Sequence, residues 1–136
     1  GGDRLTVVVA PSHPWAQRRR KLRPADLAKT PLLVREVGSG TRDAFETALA
    51  DAGFGMESPL AVMGSTTALK AAAMSGDGPC VLSELAVADE ILLGRLVAVP
   101  VEDLELSREF RAVWPVSGST PAVQQFVRLV KRATES

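Results

Sequence analysis

One histidine, one cysteine and no excess of either charge leave this chain short of the residues from which most site chemistry is built. A lone histidine and a lone cysteine exclude a structural zinc site made from nitrogen and sulfur ligands within the chain. A single cysteine, Cys80, also excludes an internal disulfide and fits a reducing compartment. The 16 Lys and Arg residues are balanced by 16 Asp and Glu, so no global field pulls toward nucleic acid. No uninterrupted apolar run approaches the roughly 20 residues that a membrane span requires. The apolar stretch near the start, Leu5 to Ala10, is too short for a signal peptide and is flanked by Asp3 and Arg4 in the wrong charge order. The expectation is a soluble cytoplasmic domain without membrane contact. The absence of an initiating Met suggests two added glycines, Gly1 and Gly2, or a chain cut from a longer one.

Motifs for catalysis are equally scarce. A phosphate loop ending in Gly-Lys-Ser/Thr is absent. The G-x-S-x-G elbow of hydrolases would need glycine at 37 and 41 around Ser39, where Val37 and Thr41 stand. His13, between Ser12 and Pro14, reads as a turn residue rather than a general base. No enzyme, cofactor or metal is expected.

What is present is the material of an ordinary globular domain. At 136 residues, 46% hydrophobic and 24% charged, the chain is long enough to bury one real core. Short β-branched runs alternate with helical patterns, the signature of an α/β sheet. Leu5 to Ala10 reads as a buried strand stopped by Pro11 and Pro14, Pro24 to Ala28 as a short helical turn, and Pro31 to Arg35 as a second strand. From Thr41, the apolar residues Ala44, Phe45, Ala48, Leu49 and Ala52 recur at the helical period until Gly53. A strand over Pro59 to Met63 leads to a helix starting at Ser65-Thr66, with Ala68, Leu69, Ala72 and Ala73 on its inner face. The strand Cys80 to Leu82 leads through Ser83 to a helix expected to bury Leu85, Ala88, Ile91 and Leu92. Strands over Leu96 to Val101 and Glu109 to Val116 and a final helix from Thr120-Pro121 complete the pattern.

The strand-to-helix turns carry the most information. If the strands are parallel, their C-terminal ends share one sheet edge, and the following helices begin along it. Gly38-Ser39-Gly40-Thr41, Gly64-Ser65-Thr66 and Ser83-Glu84 would then converge, each offering hydroxyls and unpaired backbone N–H groups. Together they form a site for a carboxylate or another small anion without any lysine. Ser and Thr are also simply the preferred N-caps, and every helix needs one. Both readings stand on the sequence alone.

Other features have plainer readings. Arg18-Arg19-Arg20-Lys21 with Arg23 is the densest charge on the chain. It reads as a solvated loop rather than a polyanion site, since no stacking aromatic lies inside it. Cys80, between Pro79 and Val81, reads as an inert core thiol. Trp114 is expected to pack on a crossing strand.

Several stretches resemble a known family. "LTVVVAPSHPWA", "LRPADLAKTPLLVREVGSGTRDAFETAL", "STTALKAAAMSGDGPCVLSELAV" and "GRLVAVPV" come in the order seen in the effector-binding domain of LysR-type transcriptional regulators. The closing "STPAVQQFVRLV" looks like that domain's C-terminal helix. The resemblance implies an α/β fold like that of type 2 periplasmic binding proteins, in which two subdomains joined by crossing strands hold an effector in their cleft. By that resemblance, residues 1–136 form a truncated effector-binding domain, mostly subdomain two. Residues 11–100 would be the second subdomain, 5–10 and 109–116 the crossing strands, and 120–134 the C-terminal helix returning to subdomain one. The resemblance further implies a small effector, expected to be anionic, and a homo-oligomer in the full-length form. DNA would be bound only through an absent N-terminal domain.

By position, Ser39, Gly40 and Thr41 match the family's turn that faces the effector, and Ser65 and Thr66 match the second-subdomain loop on the same side. Ser83 is the sixth candidate. It stands with Glu84 where the family commonly has a proline, and Asp77-Gly78-Pro79 alters the usual glycine pair before that strand. Glu84 would repel an anionic effector if it pointed inward. A fragment of a transport-type solute-binding protein shares this fold and is the alternative reading.

Overall fold

A computed structural model of the chain describes residues 2–18 and 20–109. The expected strand over Glu109 to Val116 beyond its first residue, Trp114 and the helix from Thr120 lie outside the described residues. Among those described, six strands form one sheet, and helices cover both of its faces. In chain order the elements are β1 (Gly2–Val9), a 3-10 turn (Pro14–Gln17), α1 (Pro24–Ala28), β2 (Leu33–Arg35) and α2 (Gly40–Asp51). They continue through β3 (Ala61–Met63), α3 (Thr66–Met74), β4 (Cys80–Ser83), α4 (Glu84–Leu92), β5 (Val97–Val99) and β6 (Ser107–Glu109).

The sheet runs β3-β2-β4-β1-β5. Strand β2 pairs in parallel with both β3 and β4, as right-handed βαβ connections require. Strand β1 is antiparallel to β4 and β5, with Leu5 opposite Ser83 and Val9 opposite Val97. Its first residues, Gly2 to Arg4, continue past the sheet body into an antiparallel ladder with β6. One extended strand therefore belongs to the core at one end and to a second pairing at the other.

Side-chain alternation along the central strands explains their unbroken apolar sequence. Val7 and Val9 of β1, Val34 of β2 and Val81 of β4 enter one core, with Leu27 from α1 and Phe45 and Leu49 from α2. Val8, Leu33, Cys80 and Leu82 point the other way, onto Leu69, Ala72 and Ala73 of α3 and Val87 of α4. Strands covered on both faces need no polar side.

Two helix faces differ from the periodic expectation. In α3, Leu69, Ala72 and Ala73 are buried as expected, but Ala68 is exposed. In α4 the phase is different: Val87 is the buried residue, whereas Leu85 and Leu92 are 78% and 83% exposed and Ala88 also faces out. Ser83 caps this helix directly, so it starts at Glu84. At about 100° per residue, Leu85 and Leu92 then lie roughly opposite Val87. The inward side packs Val87 and Ile91 into the second core and carries a polar contact, in which Lys70 of α3 donates to the Ala86 carbonyl at 2.9 Å and to Glu90 at 3.2 Å.

Phe45 fills the centre of the first core and is 1% exposed. Phe45→Ala is expected to cost about 3–5 kcal/mol, the usual loss for emptying a buried aromatic site. Urea unfolding should show this as a lower midpoint with an unchanged slope.

Candidate functional site

Because β2, β3 and β4 are parallel, the turns that follow them lie on one rim of the sheet. Each turn ends in a serine N-cap. The Ser39 hydroxyl accepts from the Arg42 amide at 3.4 Å, Ser65 from Ala68 at 3.1 Å, and Ser83 from Leu85 at 3.2 Å. These bonds satisfy first-turn donors that the helices cannot pair internally. They also use oxygen lone pairs, so each serine keeps its own O–H to donate elsewhere. Gly38 enters the first turn at φ 96°, a conformation in which glycine carries no side-chain penalty.

The structure brings Ser39, Gly40, Thr41, Ser65, Thr66 and Ser83 to this rim, but with unequal exposure. Ser39, Thr41 and Ser83 are buried, at 4%, 4% and 2%. Helix α2 begins at Gly40, so Thr41 sits inside its first turn rather than at the cap. Ser83 is both the last residue of β4 and the cap of α4, which places it in the sheet beside Leu5. Gly64 and Ser65 are exposed, and Thr66 and Gly40 are half-buried. The cause is topological: β3 is the sheet's edge strand, and the turn after it has no neighbour on one side. Glu84 is exposed, with its carboxylate 4.0 Å from the Arg4 guanidinium on β1.

Three residues at this rim had no role in the sequence reading. Arg35, the last residue of β2, lies in register with Met63. Its guanidinium donates to the Thr66 hydroxyl at 3.1 Å and to Glu36 at 2.8 Å, tying the turn after β2 to the turn after β3. That hydrogen bond and the adjacent positive charge hold the Glu36 carboxyl below its ordinary pKa. Arg42, in the first turn of α2, donates to the Arg35 carbonyl at 2.9 Å and to Glu46 at 3.2 Å. A cation there opposes the helix dipole. Its bonds to a strand carbonyl and to the carboxylate one turn on account for its place. The usable signal was "VRE", two charged residues closing an apolar strand. Beside these groups, Val34, Arg35, Thr41, Arg42, Phe45 and Val81 line a hollow of about 10 Å³, room for a single water. Among the described residues the rim is an open surface rather than an enclosing pocket.

The family model of the LysR substrate binding domain matches residues 1–135. The chain belongs to this family. An uncharacterized HTH-type transcriptional regulator of Mycobacterium tuberculosis (strain ATCC 25618 / H37Rv) is 45% identical over 122 residues, covering 88% of this chain and 39% of that protein. The HTH-type transcriptional regulator CbbR of Xanthobacter flavus is 42% identical over 114 residues, covering 82% of this chain and 34% of that protein. The chain thus spans between a third and two fifths of the length of these relatives. Among solved structures, the regulatory domain of CcmR from Synechocystis PCC6803, in complex with 2-PG, superposes with a TM-score of 0.67 at 23% identity. That match covers 99% of this chain and 64% of the other. At such identity the likeness is one of fold: a mixed α/β sheet with helices, of the periplasmic-binding-protein type. The relatives are transcriptional regulators, not enzymes.

Among the described residues, His13, Arg18 and Arg23 are engaged in structural contacts. His13 caps the 3-10 turn, accepting from the Trp15 amide at 3.0 Å through Nδ1, with the two rings edge to face at 5.3 Å. Partial burial lowers its pKa and favours the neutral ring that this bond requires. In the basic loop Arg18 lies 3.5 Å from Asp26, and Arg23 lies 3.1 Å from Glu102. Among the described residues no group of three His, Cys, Asp or Glu is placed to hold a metal, and no helix is long and apolar enough to cross a membrane.

Cys80 is fully buried between β1 and β2, and burial pushes its thiol up to about 12. The native protein should therefore resist iodoacetamide at mildly alkaline pH and react once unfolded in urea. Mass spectrometry of the carbamidomethylated chain checks this, and rapid native labelling would contradict the packing of β4.

Proposed function

We propose that this chain is the ligand-sensing part of a LysR-type transcriptional regulator, and that a small anionic effector binds where the helices after β2, β3 and β4 begin. The observation that carries this reading is the common rim. Three helix N-termini end on it, their dipoles positive toward the same space, and their cap hydroxyls retain protons to donate. Gly64, Ser65, Thr66 and Gly40 supply the accessible surface. Ser39, Thr41 and Ser83 hold the helix starts from within. Two carboxylates at the rim each have an arginine beside them, Glu36 next to Arg35 and exposed Glu84 next to Arg4.

Residues 11–100 constitute the second subdomain in this reading. Strand β1 and the strand begun by β6 are the crossing connections, and the wall opposite the rim comes from sequence outside this chain. The paired ladder of Gly2–Arg4 with residues 107–109 supports that assignment, since it leads both strands away from the sheet body on the rim side. Full-length oligomerisation, DNA binding through a separate domain and a cytoplasmic location follow from the family and belong to the same proposal. The transport reading is less favoured, because the relatives described above are transcriptional regulators.

An effector that prefers the closed cleft shifts the population toward it by its differential affinity alone. Calorimetry of the full-length regulator with 2-PG, the ligand of the solved CcmR domain, tests the site. Ser65→Ala and Thr66→Val should each weaken binding about ten- to hundredfold, since a hydrogen bond to a charged group contributes about 1.5–3 kcal/mol. Ser65→Ala also removes the α3 cap and should cost about 0.5–2 kcal/mol of stability, so affinities are compared well below the melting temperature of each variant. Unchanged affinity in both variants would remove the rim from the binding site.

A further inference from the structure

The Arg35–Glu36 contact is a half-made ion pair. Arg35 keeps only 14% of its side chain exposed, yet it meets Glu36 through one nitrogen and one oxygen. Arg35 Nε and Glu36 Oε2 are both buried without a hydrogen-bond partner among the described residues. An arginine and a carboxylate favour two parallel bonds where geometry allows. Here the two residues are adjacent in sequence at a strand end, and successive side chains of extended backbone diverge. A buried donor left unpaired is costly. The arginine is therefore held by a resident partner that does not saturate it.

Its other bond constrains Thr66. A guanidinium has donors only, so the Thr66 hydroxyl must act as the acceptor in the 3.1 Å contact with Arg35 Nη1. The threonine proton is then directed away from Arg35 and is free to donate, with one oxygen lone pair left. At the half-buried start of α3, a hydroxyl turned in this sense offers its proton to an acceptor oxygen on the side away from the guanidinium.

We propose that Arg35 is the specificity-determining residue of the rim. It turns the Thr66 hydroxyl so that its proton is offered away from the guanidinium, and it supplies the positive charge that selects a carboxylate or phosphate group, while Glu36 partly neutralises that charge. This inference rests on the reading of the rim as the effector site. It adds the chemical class selected and the residue that selects it. Arg35 acts on the ligand through Thr66 and through the local field, and is in that sense a positioning residue. Glu36 competes with the ligand for the same cation, so its removal acts in the opposite direction from removal of Arg35.

That opposition provides the test. The full-length protein is titrated calorimetrically with inorganic phosphate and with 2-PG at fixed ionic strength, using wild type, Arg35→Met, Arg35→Lys, Glu36→Gln, Thr66→Val and the Arg35→Met/Thr66→Val double variant. Arg35→Met should lose about tenfold or more in affinity, with Arg35→Lys recovering part of the loss. Glu36→Gln should bind severalfold more tightly than wild type. The double variant should be little weaker than the worse single one, as expected when two residues act as a unit. Thermal melts establish folding, and the tightening in Glu36→Gln cannot arise from damage to the fold. If Arg35→Met and Glu36→Gln both bind like wild type while Ser65→Ala and Thr66→Val weaken, Arg35 has no such role and the rim stands. If all these variants bind like wild type, the rim itself is wrong. If neither probe binds the wild type, the anionic class is overturned.

Discussion

The parallel pairing of β2 with a neighbour on each side is the constraint from which the rest of the domain follows. It obliges each strand to be followed by a helix that returns over the sheet, so α2, α3 and α4 all begin at the same rim. The apolar strand residues then have a helix layer above and below them, which is why Val8 and Val9 can both be fully buried although they point to opposite faces. The antiparallel β1 enters from the rim side and joins the sheet between β4 and β5. Core, rim and entry thus share one hydrogen-bonding pattern.

The rim separates support from access. Interior strands place their following turns between neighbours, so Ser39 and Ser83 spend their hydroxyls on helix starts under cover. The edge strand leaves the turn at Gly64 to Thr66 open. Arg35 joins the two kinds of turn, reaching from the interior strand to the edge turn. A rim assembled in this way has buried anchorage and one accessible side.

Much of this was legible in the residues. Proline, glycine and the alternation of β-branched runs with helical periods marked the strands β1 to β5 and the helices α1 to α4 to within a few residues, because local sterics and caps act at short range, whereas the 3-10 turn over Pro14–Gln17 was not anticipated. The three serine caps were identified together with the rim they share. The exposure of those caps was not legible, since it depends on which strand is at the edge, and that is decided by the order of long-range pairing. The phase of α4 escaped for a related reason. Its sequence carries apolar residues on two sides, and the side that turns inward meets the core and Lys70 only once α3 and α4 have packed. The ties of Arg35 to Thr66, 31 positions on, likewise exist only after β2 and β3 have paired.

The polar clasp between α3 and α4 has a mechanical consequence. Helix α4 buries one residue fully, Val87, and turns three leucines, Leu85, Leu92 and Leu93, to the outside. Dispersion and apolar burial therefore anchor it less than they anchor α2, and its seating leans on a lysine bonded to a carbonyl and a carboxylate. Such attachment is directional but shallow, and elements of this kind sit at the low end of the local opening free energies within a fold. Amide protons of α4 should accordingly exchange with solvent sooner than those of α2, which makes it the natural place for the domain to yield first.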